Sequence, residues 1–545
     1  MREKKPIILP EKYYLNYFNY LLNFVTEHYQ HILEDEEYFF IQNFRGLTED
    51  AQCLYLRFSN RKGNFFRLSK INYSEIKNLN AAKEELLIHE FIDINASKDP
   101  AQFSLFTKAE LINHFSFLDR KERKANLLME LSEWDIQSIH ENEEIAEVKK
   151  NQEVAFLKLL FFGNRYHEMT EFVIRDVGNV KLKSFDESKF QPWFQSRSEA
   201  LGVMHISQLK KMIREVIVAD LPLEEFLINI PWEEWRTYPR SKEAAEKLLL
   251  EIGTHFEKNG KLESALSCYQ RTALPPSGER QIRILEKLDQ SIKALDLAKK
   301  ILEQPGNASE LTFASDYLNR SGIRINRSMT RRLHLAKKLE LPEKQARVEQ
   351  EVLHYYKEKG WQGVHSENFI WRSMFGIVFW EELFNEDHGT FHHPLQREPS
   401  DLDEAAFFTT RKIVLEKRVE GFKTRKQLFN DLSSTYDENF GIANRFVTWH
   451  DQLLPILEIM IQRLPLKSIK LVLLEMAKQT KENSTGFPDL FIWKKDDYHF
   501  YEIKSPNDHL SAQQLFWLDF LTSARIKADV LRVSYSHEPN VGLHH

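Results

Sequence analysis

Two apolar runs, 490–493 and 498–503 in GFPDLFIWKKDDYHFYEIKS, are separated by only four polar residues, Lys494-Lys495-Asp496-Asp497. So short a connection leaves no room for a crossover, and the runs are predicted to pair as an antiparallel hairpin. Side chains alternate faces along a strand, so Glu502 and Lys504 share one face and Ile503 takes the other. Asp489 opens the first strand and therefore falls near Glu502, towards the end of the second. Two carboxylates at that range repel unless a cation lies between them or one holds a proton. Hard oxygen ligands suit Mg²⁺ or Mn²⁺. A lysine beside them suits an attacking water or a phosphate oxygen.

The rest of the chain bounds the reading. Its 545 residues exceed what one core holds, since single cores stop growing near ~250–300 residues. Hydrophobic content of 42% with 29% charged residues describes a folded chain rather than a disordered one. The net charge of −6 gives no global basic balance, but it permits a local basic groove. Two cysteines, Cys53 and Cys268, exclude a four-cysteine zinc site and a disulfide scaffold and fit a reducing compartment. The start, MREKKPIILP, has a short apolar run cut by Pro10 and is not expected to be a signal peptide. No apolar run approaches the ~20 residues of a membrane-spanning helix. No Gly-rich phosphate loop appears. His392-His393 precedes Pro394 and is read as a surface loop. The final His544-His545, native or the stub of a tag, is set aside.

Residues 11 to about 45 read as helix, with Tyr14, Phe18, Leu21, Leu22 and Val25 at helical spacing. In CLYLRFSNRKGNFFRLSK, Leu54, Leu56 and Phe58 alternate with Tyr55 and Arg57 at strand period. A turn at 61–64 then leads to Phe65-Phe66. A hairpin with a basic tip between helices resembles a winged helix. Arg57, Arg61, Lys62 and Arg67 either contact phosphates or decorate a solvated turn. FTKAELINHFSFLDRKERKANLLMEL reads as two short helices around a basic turn with Lys121, Arg123 and Lys124. It resembles a SAP-type DNA-backbone binder, and a solvated face is the alternative. In SKEAAEKLLLEIGTHFEKNGKLESALSCYQRTALPP, Gly253, Phe256, Gly260, Ala265, Tyr269, Ala273 and Pro276 fall at tetratricopeptide spacing. ERQIRILEKLDQSIKALDLAKKIL and TRRLHLAKKLELPEKQARVEQEVL read as flanking helices of that scaffold.

Asp489, Glu502 and Lys504 in this order match the PD-(D/E)xK nuclease signature. The block that follows Lys504, PNDHLSAQQLFW, resembles the VRR-NUC nuclease domain, where such a segment opens a helix. Asp508 or Ser511 suits its cap. Gln514 is expected to face back to the site, and Gln513 to reach DNA or solvent. The domain commonly has Gly where this chain has Ser505, which bears on the placement of Lys504. HSENFIWRSMFGIVFWEELF carries Glu367 at the start of a helix, either as a first-turn acid favoured by the helix dipole or as a third carboxylate. AAFFTTRKIVLEKRVEGF resembles the family's next segment, with Arg411 and Lys412 facing phosphates. LKLLFFGNRYHEMTEFVIRDVG looks like its helical junction.

Together these blocks resemble the Fanconi-anaemia-associated nuclease family. The resemblance implies a multidomain, mainly α chain with a C-terminal α/β PD-(D/E)xK (VRR-NUC) domain. Its expected parts are a winged-helix-like region over 1–96, a SAP-like unit and helical junction over 97–190, a tetratricopeptide-like region over 191–350, and the nuclease domain over 351–545. Two cysteines cannot supply the zinc finger of the animal members, so a bacterial-type form is expected, cytoplasmic and associated with the nucleoid. The implied activity is that of a 5′ flap endonuclease with 5′-to-3′ exonuclease action in interstrand cross-link repair. Glu367, Asp489, Glu502 and the Ile503 carbonyl would hold two Mg²⁺ or Mn²⁺ ions, with Lys504 and Gln514 completing the catalytic set. Arg280 and Arg283 are candidates for a 5′-end pocket or are exposed helix charges. The expected partners are branched or flapped DNA, and proteins through the tetratricopeptide-like region. Two rivals remain at this point: a Holliday-junction resolvase, and an adaptor without catalysis that binds DNA or protein.

Overall fold

The computed structural model describes residues 9–134, 136–164, 169–178, 180–219, 221–228, 230–325, 329–343 and 346–537. Most of the N-terminal segment, part of the junction (165–168) and the final His544-His545 lie outside them. The chain divides into two compact units. One comprises Met1–Asn179 with Gln191–Ser207, and the other Val180–Phe190 with Gln208–His545. Among the described residues, no helix is long and apolar enough to cross a membrane.

The first unit opens with the helix Tyr13–His28, which buries Tyr14, Phe18, Leu21, Leu22 and Val25 as its spacing predicts. The expected continuation to residue 45 is broken. A second helix, Asp35–Gly46, starts afresh with a capping box between Glu34 and Glu37. The larger correction is at 54–58. The expected strand is a helix, Glu49–Ser59, whose N-cap Thr48 accepts from the Ala51 N–H. Cys53, Leu54, Tyr55, Leu56 and Phe58 are all buried there. A helix buried nearly all round carries apolar residues at every spacing, so alternation does not distinguish it from a strand. The wing is built from β1 (Phe65–Arg67), β2 (Ile92–Ile94) and β3 (Ile145–Val148), in the order β1-β3-β2 with antiparallel pairing. The SAP-like helices are Lys108–His114 and Lys124–Glu130. Phe103, Leu111, Phe115, Leu118, Leu127 and Leu131 belong to the core beneath them.

In the second unit, the helices Pro239–Lys258, Leu262–Gln270, Ser277–Lys287, Ser291–Glu303 and Ala308–Arg320 pack each on the next. The tetratricopeptide spacing has a direct physical cause. A Cβ on Gly253 would stand 2.8 Å from the Tyr269 ring, so only glycine lets the first two helices approach this closely. The expected helix over TRRLHLAKKLELPEKQARVEQEVL divides instead. Lys337–Glu343 is a strand, β4, and Val348–Glu358 a helix. β4 lies ahead of the expected boundary at 351, yet it is the edge of the C-terminal five-stranded sheet. That sheet also contains β5 (Gln362–His365), β6 (Leu490–Lys494), β7 (Asp497–Lys504) and β8 (Ala528–His537), in the order β4-β8-β7-β6-β5. β8 runs parallel to β4 and β7, while β6 is antiparallel to β5 and β7. Tyr501 and Ile503 pack into one core with Leu490, Ile492, Val352 and Leu531. Strand alternation therefore turns Glu502 and Lys504 to the opposite face. There Phe500 lies near Trp371 of the helix Phe369–Val378.

Gly253→Ala is expected to lower the melting temperature, by the ~1–3 kcal/mol typical of overpacking. Tyr269→Leu in the same chain should restore part of the loss. A rise in melting temperature, as helix propensity alone would give, would show that the Tyr269 ring moves aside freely.

Candidate active site

The hairpin forms as expected, in the register Leu490↔Tyr501 to Lys494↔Asp497. Backbone pairing stops at Leu490, so β7 runs on without a β6 partner. The Asp489 side chain replaces it, its Oδ2 accepting from the Ile503 N–H at 2.8 Å. Glu502 is 1% exposed. Lys504 Nζ lies 2.9 Å from its Oε1 as an ion contact, but neither Glu502 oxygen accepts a well-aligned hydrogen bond. Burial first, then the charge of Asp489, push the Glu502 carboxyl up to about 8, with Lys504 pulling the other way. Burial also raises Asp489, against the Ile503 N–H and Lys504. A buried and a half-buried acid with one ammonium beside them are short of positive charge. The unsatisfied Glu502 oxygens, beside a second acid, fit a hard divalent cation. Ile503 has its side chain in the core of the other face, which leaves only its backbone for such a role.

Glu367 does not start the helix as expected. It precedes Phe369–Val378 by two residues and adopts a left-handed backbone, φ +28°, which is uncommon outside glycine. Its placement comes from a clip to the strand that carries Asp489. The N–H groups of Ser366 and Glu367 both donate to the Asp489 carbonyl, at 2.7 and 3.0 Å. The Ser366 hydroxyl donates to the Pro488 carbonyl at 3.0 Å. Asn368 Oδ1 accepts from the Phe487 N–H at 3.1 Å, and its Nδ2 stands 3.5 Å from Glu367 Oε1. Glu367 is exposed, though its charge still contributes to raising Glu502. Among the described residues, no three His, Cys, Asp or Glu side chains are already gathered into a cation-binding group. The third carboxylate is thus tied by its backbone to Asp489 without its side chain closing on the pair. Ser366 and Asn368 escaped the sequence reading. Their only local signal is a polar Ser-Glu-Asn ahead of an apolar helix, and the partners of the clip lie about 120 residues away.

The segment after β7 is held locally. Asp508 Oδ2 accepts from the Ser505 N–H at 2.9 Å. Ser505 is not among the residues with a left-handed backbone, so the position does not demand glycine. Ser511 caps the helix Ala512–Ser523 in a reciprocal box with Gln514. The Gln514 side chain is thereby turned to the Ser511 N–H rather than to the carboxylates. Gln513 is likewise committed, donating to Asn483 at 3.2 Å.

The predicted DNA-facing cations fall into two sets. Arg57 is bound to buried Glu75 and lies over the Tyr14 ring; Arg67 is held by Glu110 and Glu143 at 2.8 and 2.7 Å. Arg411 is 1% exposed and doubly bonded to Asp401. These three are held in ion pairs within the fold. Arg280 stands 3.5 Å from Glu257; Arg283 binds Glu279 and covers Phe313. Lys124 donates to the Ser104 carbonyl, and Lys412 has only a loose contact to Glu416, at 3.9 Å. Arg61, Lys62, Lys121 and Arg123 are exposed and make no ion pair among the described residues. His392 and His393, expected at the surface, are buried, and His392 Nε2 is 2.9 Å from the Ser400 hydroxyl.

A mixed sheet that turns Glu502 and Lys504 to one face, with Asp489 at the start of the neighbouring strand and a third acid clipped alongside, has the arrangement of a PD-(D/E)xK-type nuclease domain. The VRR-NUC domain model matches residues 423–535, and the FAN1 HTH domain model matches residues 12–93. The Fanconi-associated nuclease 1 homolog of Pseudomonas aeruginosa is 28% identical over 97% of both chains. The homolog of Arabidopsis thaliana is 25% identical, over 96% of this chain and 67% of its own. The crystal structure of paFAN1 bound to 2-nt 5′ flap DNA with a gap superposes with a TM-score of 0.86. It is 26% identical and covers 98% of this chain and 100% of its own. A second paFAN1 crystal structure, with a 1-nt 5′ flap and a gap, gives 0.82. The chain is similar over nearly its whole length to Fanconi-associated nucleases, contains a VRR-NUC domain and is a DNA nuclease.

Asn368→Ala is expected to lower kcat by about tenfold or more with little change in melting temperature, because only the tether between the Glu367 and Phe487 segments is lost. Equal losses in kcat and stability would make Asn368 a general fold contact.

Proposed function

We propose that the chain is a structure-selective nuclease that cuts DNA near a 5′ flap, trims in the 5′-to-3′ direction and serves in interstrand cross-link repair. The observation that carries the chemistry is the pair of half-buried Asp489 and buried Glu502, left short of positive charge with Lys504 as the ammonium in contact with Glu502. The support for the substrate is the likeness to paFAN1, which was crystallised on 5′ flap DNA with a gap.

Asp489, Glu502 and the Ile503 carbonyl, joined by Glu367, are assigned to hold two Mg²⁺ or Mn²⁺ ions. Bound there, the cations supply a nucleophilic hydroxide at neutral pH and neutralise charge on the phosphoryl oxygens. The chain's own groups do the rest. Lys504, on the face of Glu502, places an ammonium where charge develops on the scissile phosphate. The Ile503 N–H holds Asp489 at a fixed angle, and the Ser366–Asn368 clip fixes the backbone of Glu367. Without cations the paired carboxylates repel the DNA backbone, so cleavage and cation binding are coupled. Arg61, Lys62, Lys121 and Arg123 are the cations free to contact duplex phosphates. Affinity should accordingly fall steeply with salt.

The test is incision of a 5′-labelled flap duplex beside a four-way junction, with Mg²⁺, Mn²⁺ or EDTA. One metal-dependent nick near the flap junction, lost in Asp489→Ala, Glu502→Ala and Lys504→Ala while DNA binding persists, is expected. Paired symmetric nicks on the four-way junction would instead favour a resolvase. Binding without incision of any substrate would make the chain an adaptor.

A pH effect follows from Glu502. Its folded-state value, about 8, stands above the ordinary 4.5, so the folded protein binds the extra proton between these limits. Stability without metal therefore falls as pH rises from about 4.5 to about 8 and then levels off. Glu502→Gln in EDTA should be more stable than wild type by a few kcal/mol at pH 8.5, and near equal at pH 4.5. Cation binding to the wild type at pH 7 should release protons, seen calorimetrically as a heat that varies with the buffer. A gap in stability that does not depend on pH would refute the protonated Glu502.

A further inference from the structure

The SAP-like unit keeps its core apolar residues inside but leaves two large rings out. Phe117 is 45% exposed and Trp134 is 48% exposed, although Phe115 and Leu118 beside Phe117 and Leu131 near Trp134 are buried. The two exposed rings lie on each other, with centroids 4.5 Å apart and planes 21° from parallel. Phe115 supports both from below, at 5.7 and 6.2 Å. Met129, 74% exposed, adds a further apolar side chain on the Lys124–Glu130 helix. The turn after Phe117 carries Arg120, Lys121 and Arg123, all exposed and without ion-pair partners among the described residues. Asp119 and Glu122 share that turn, but Asp119 Oδ1 accepts from the Lys121 N–H at 2.8 Å and Glu122 Oε2 from Asn126 Nδ2 at 2.6 Å, and the turn keeps an excess of positive charge.

We propose that the Phe117–Trp134 stack is a platform for an unpaired DNA base, with the backbone of that strand drawn to Arg120, Lys121 and Arg123. An aromatic pair already ordered by its own stacking and by Phe115 loses little freedom when a third ring extends the stack. Bases within a duplex have both faces covered by their neighbours, so the platform selects single-stranded or gapped DNA. Stacking is indifferent to base identity, since every base has a π face. The cations attract any phosphate, and the rings add the requirement that the base be free. This assigns the unit a role beyond holding a duplex backbone. It rests on the reading of the chain as a DNA-acting nuclease, but not on any particular incision.

The experiment measures binding of the full chain in EDTA to three fluorescent probes: a 20-nucleotide oligo(dT), the same strand with abasic sites throughout, and a 20-base-pair duplex. Working without divalent cation separates the result from cleavage, so failure of the nuclease assay leaves this test readable. Wild type should bind oligo(dT) about tenfold or more tightly than the abasic strand. The Phe117→Leu/Trp134→Leu variant, which keeps apolar bulk but loses the π faces, should bind both strands alike and hold the duplex as wild type does. Trp134→Phe, which preserves a ring, should retain most of the discrimination and serves if the double variant folds poorly. A wild type that does not discriminate, or a folded double variant that discriminates as well as wild type, overturns the proposal. So does a variant that loses duplex binding to the same extent.

Discussion

The geometry of the nuclease site depends on the hydrogen bonds made by one residue, Asp489. Its carbonyl accepts from both Ser366 and Glu367, and its carboxylate accepts from Ile503. The first two bonds fasten the segment ahead of the Phe369–Val378 helix to the start of β6. The third extends the attachment between β6 and β7 beyond the last backbone pair. Three chain segments that carry acidic groups therefore meet at one residue whose backbone and side chain are both in use. The left-handed backbone of Glu367 is held in place by these contacts.

That arrangement brings negative charge up to Glu502, which is buried away from water. Burial of an isolated carboxylate is costly, and a second acid nearby makes it costlier. Lys504 offsets part of this, but its ammonium does not meet Glu502 along a good hydrogen-bond direction. The contrast with Arg411 is instructive. There a buried charge is matched by a bidentate carboxylate, Asp401, and by the Thr390 hydroxyl. In one buried ion pair both carboxylate oxygens are met by the guanidinium, and the pair has a structural role. In the other neither Glu502 oxygen accepts a hydrogen bond, and both stay open to a cation.

The hairpin and its polarity were legible because they need only local information: a short polar turn, period-two alternation and charges at the strand ends. The Ser511–Gln514 cap was partly legible for the same reason, though Gln514 proved to serve the cap rather than the acids. The tetratricopeptide spacing was legible because Gly253 and Tyr269 are a size-complementary pair. Illegible were the elements whose signal is shared by two structures. The helix Glu49–Ser59 reads as a strand because Cys53 to Phe58 are apolar and buried at every position but Arg57. β4 reads as part of a helix because it lies between two of them and its partner, β8, is about 190 residues away. The clip around Glu367 was illegible because its bonds run to backbone groups of a distant strand, and backbone groups leave no trace in residue identity.

The same limit governs the arginines. A basic residue in a sequence shows a charge but not its counter-ion, and the partners of Arg57, Arg67 and Arg411 are all supplied by folding. Arg57 lies 18 residues from Glu75, and Arg67 lies 76 residues from Glu143. Guanidinium groups favour such fixed, partly buried partners because their planar fork matches a carboxylate and they tolerate desolvation better than ammonium groups. Of the predicted DNA-facing cations, those without an ion pair among the described residues, Arg61, Lys62, Lys121 and Arg123, lie between elements, where a long side chain has no neighbouring element to fold against. Free positive charge on a chain of net charge −6 is thus sorted by topology. Arginines next to helix and sheet surfaces are absorbed into the fold, and those at loop tips remain available to a polyanion.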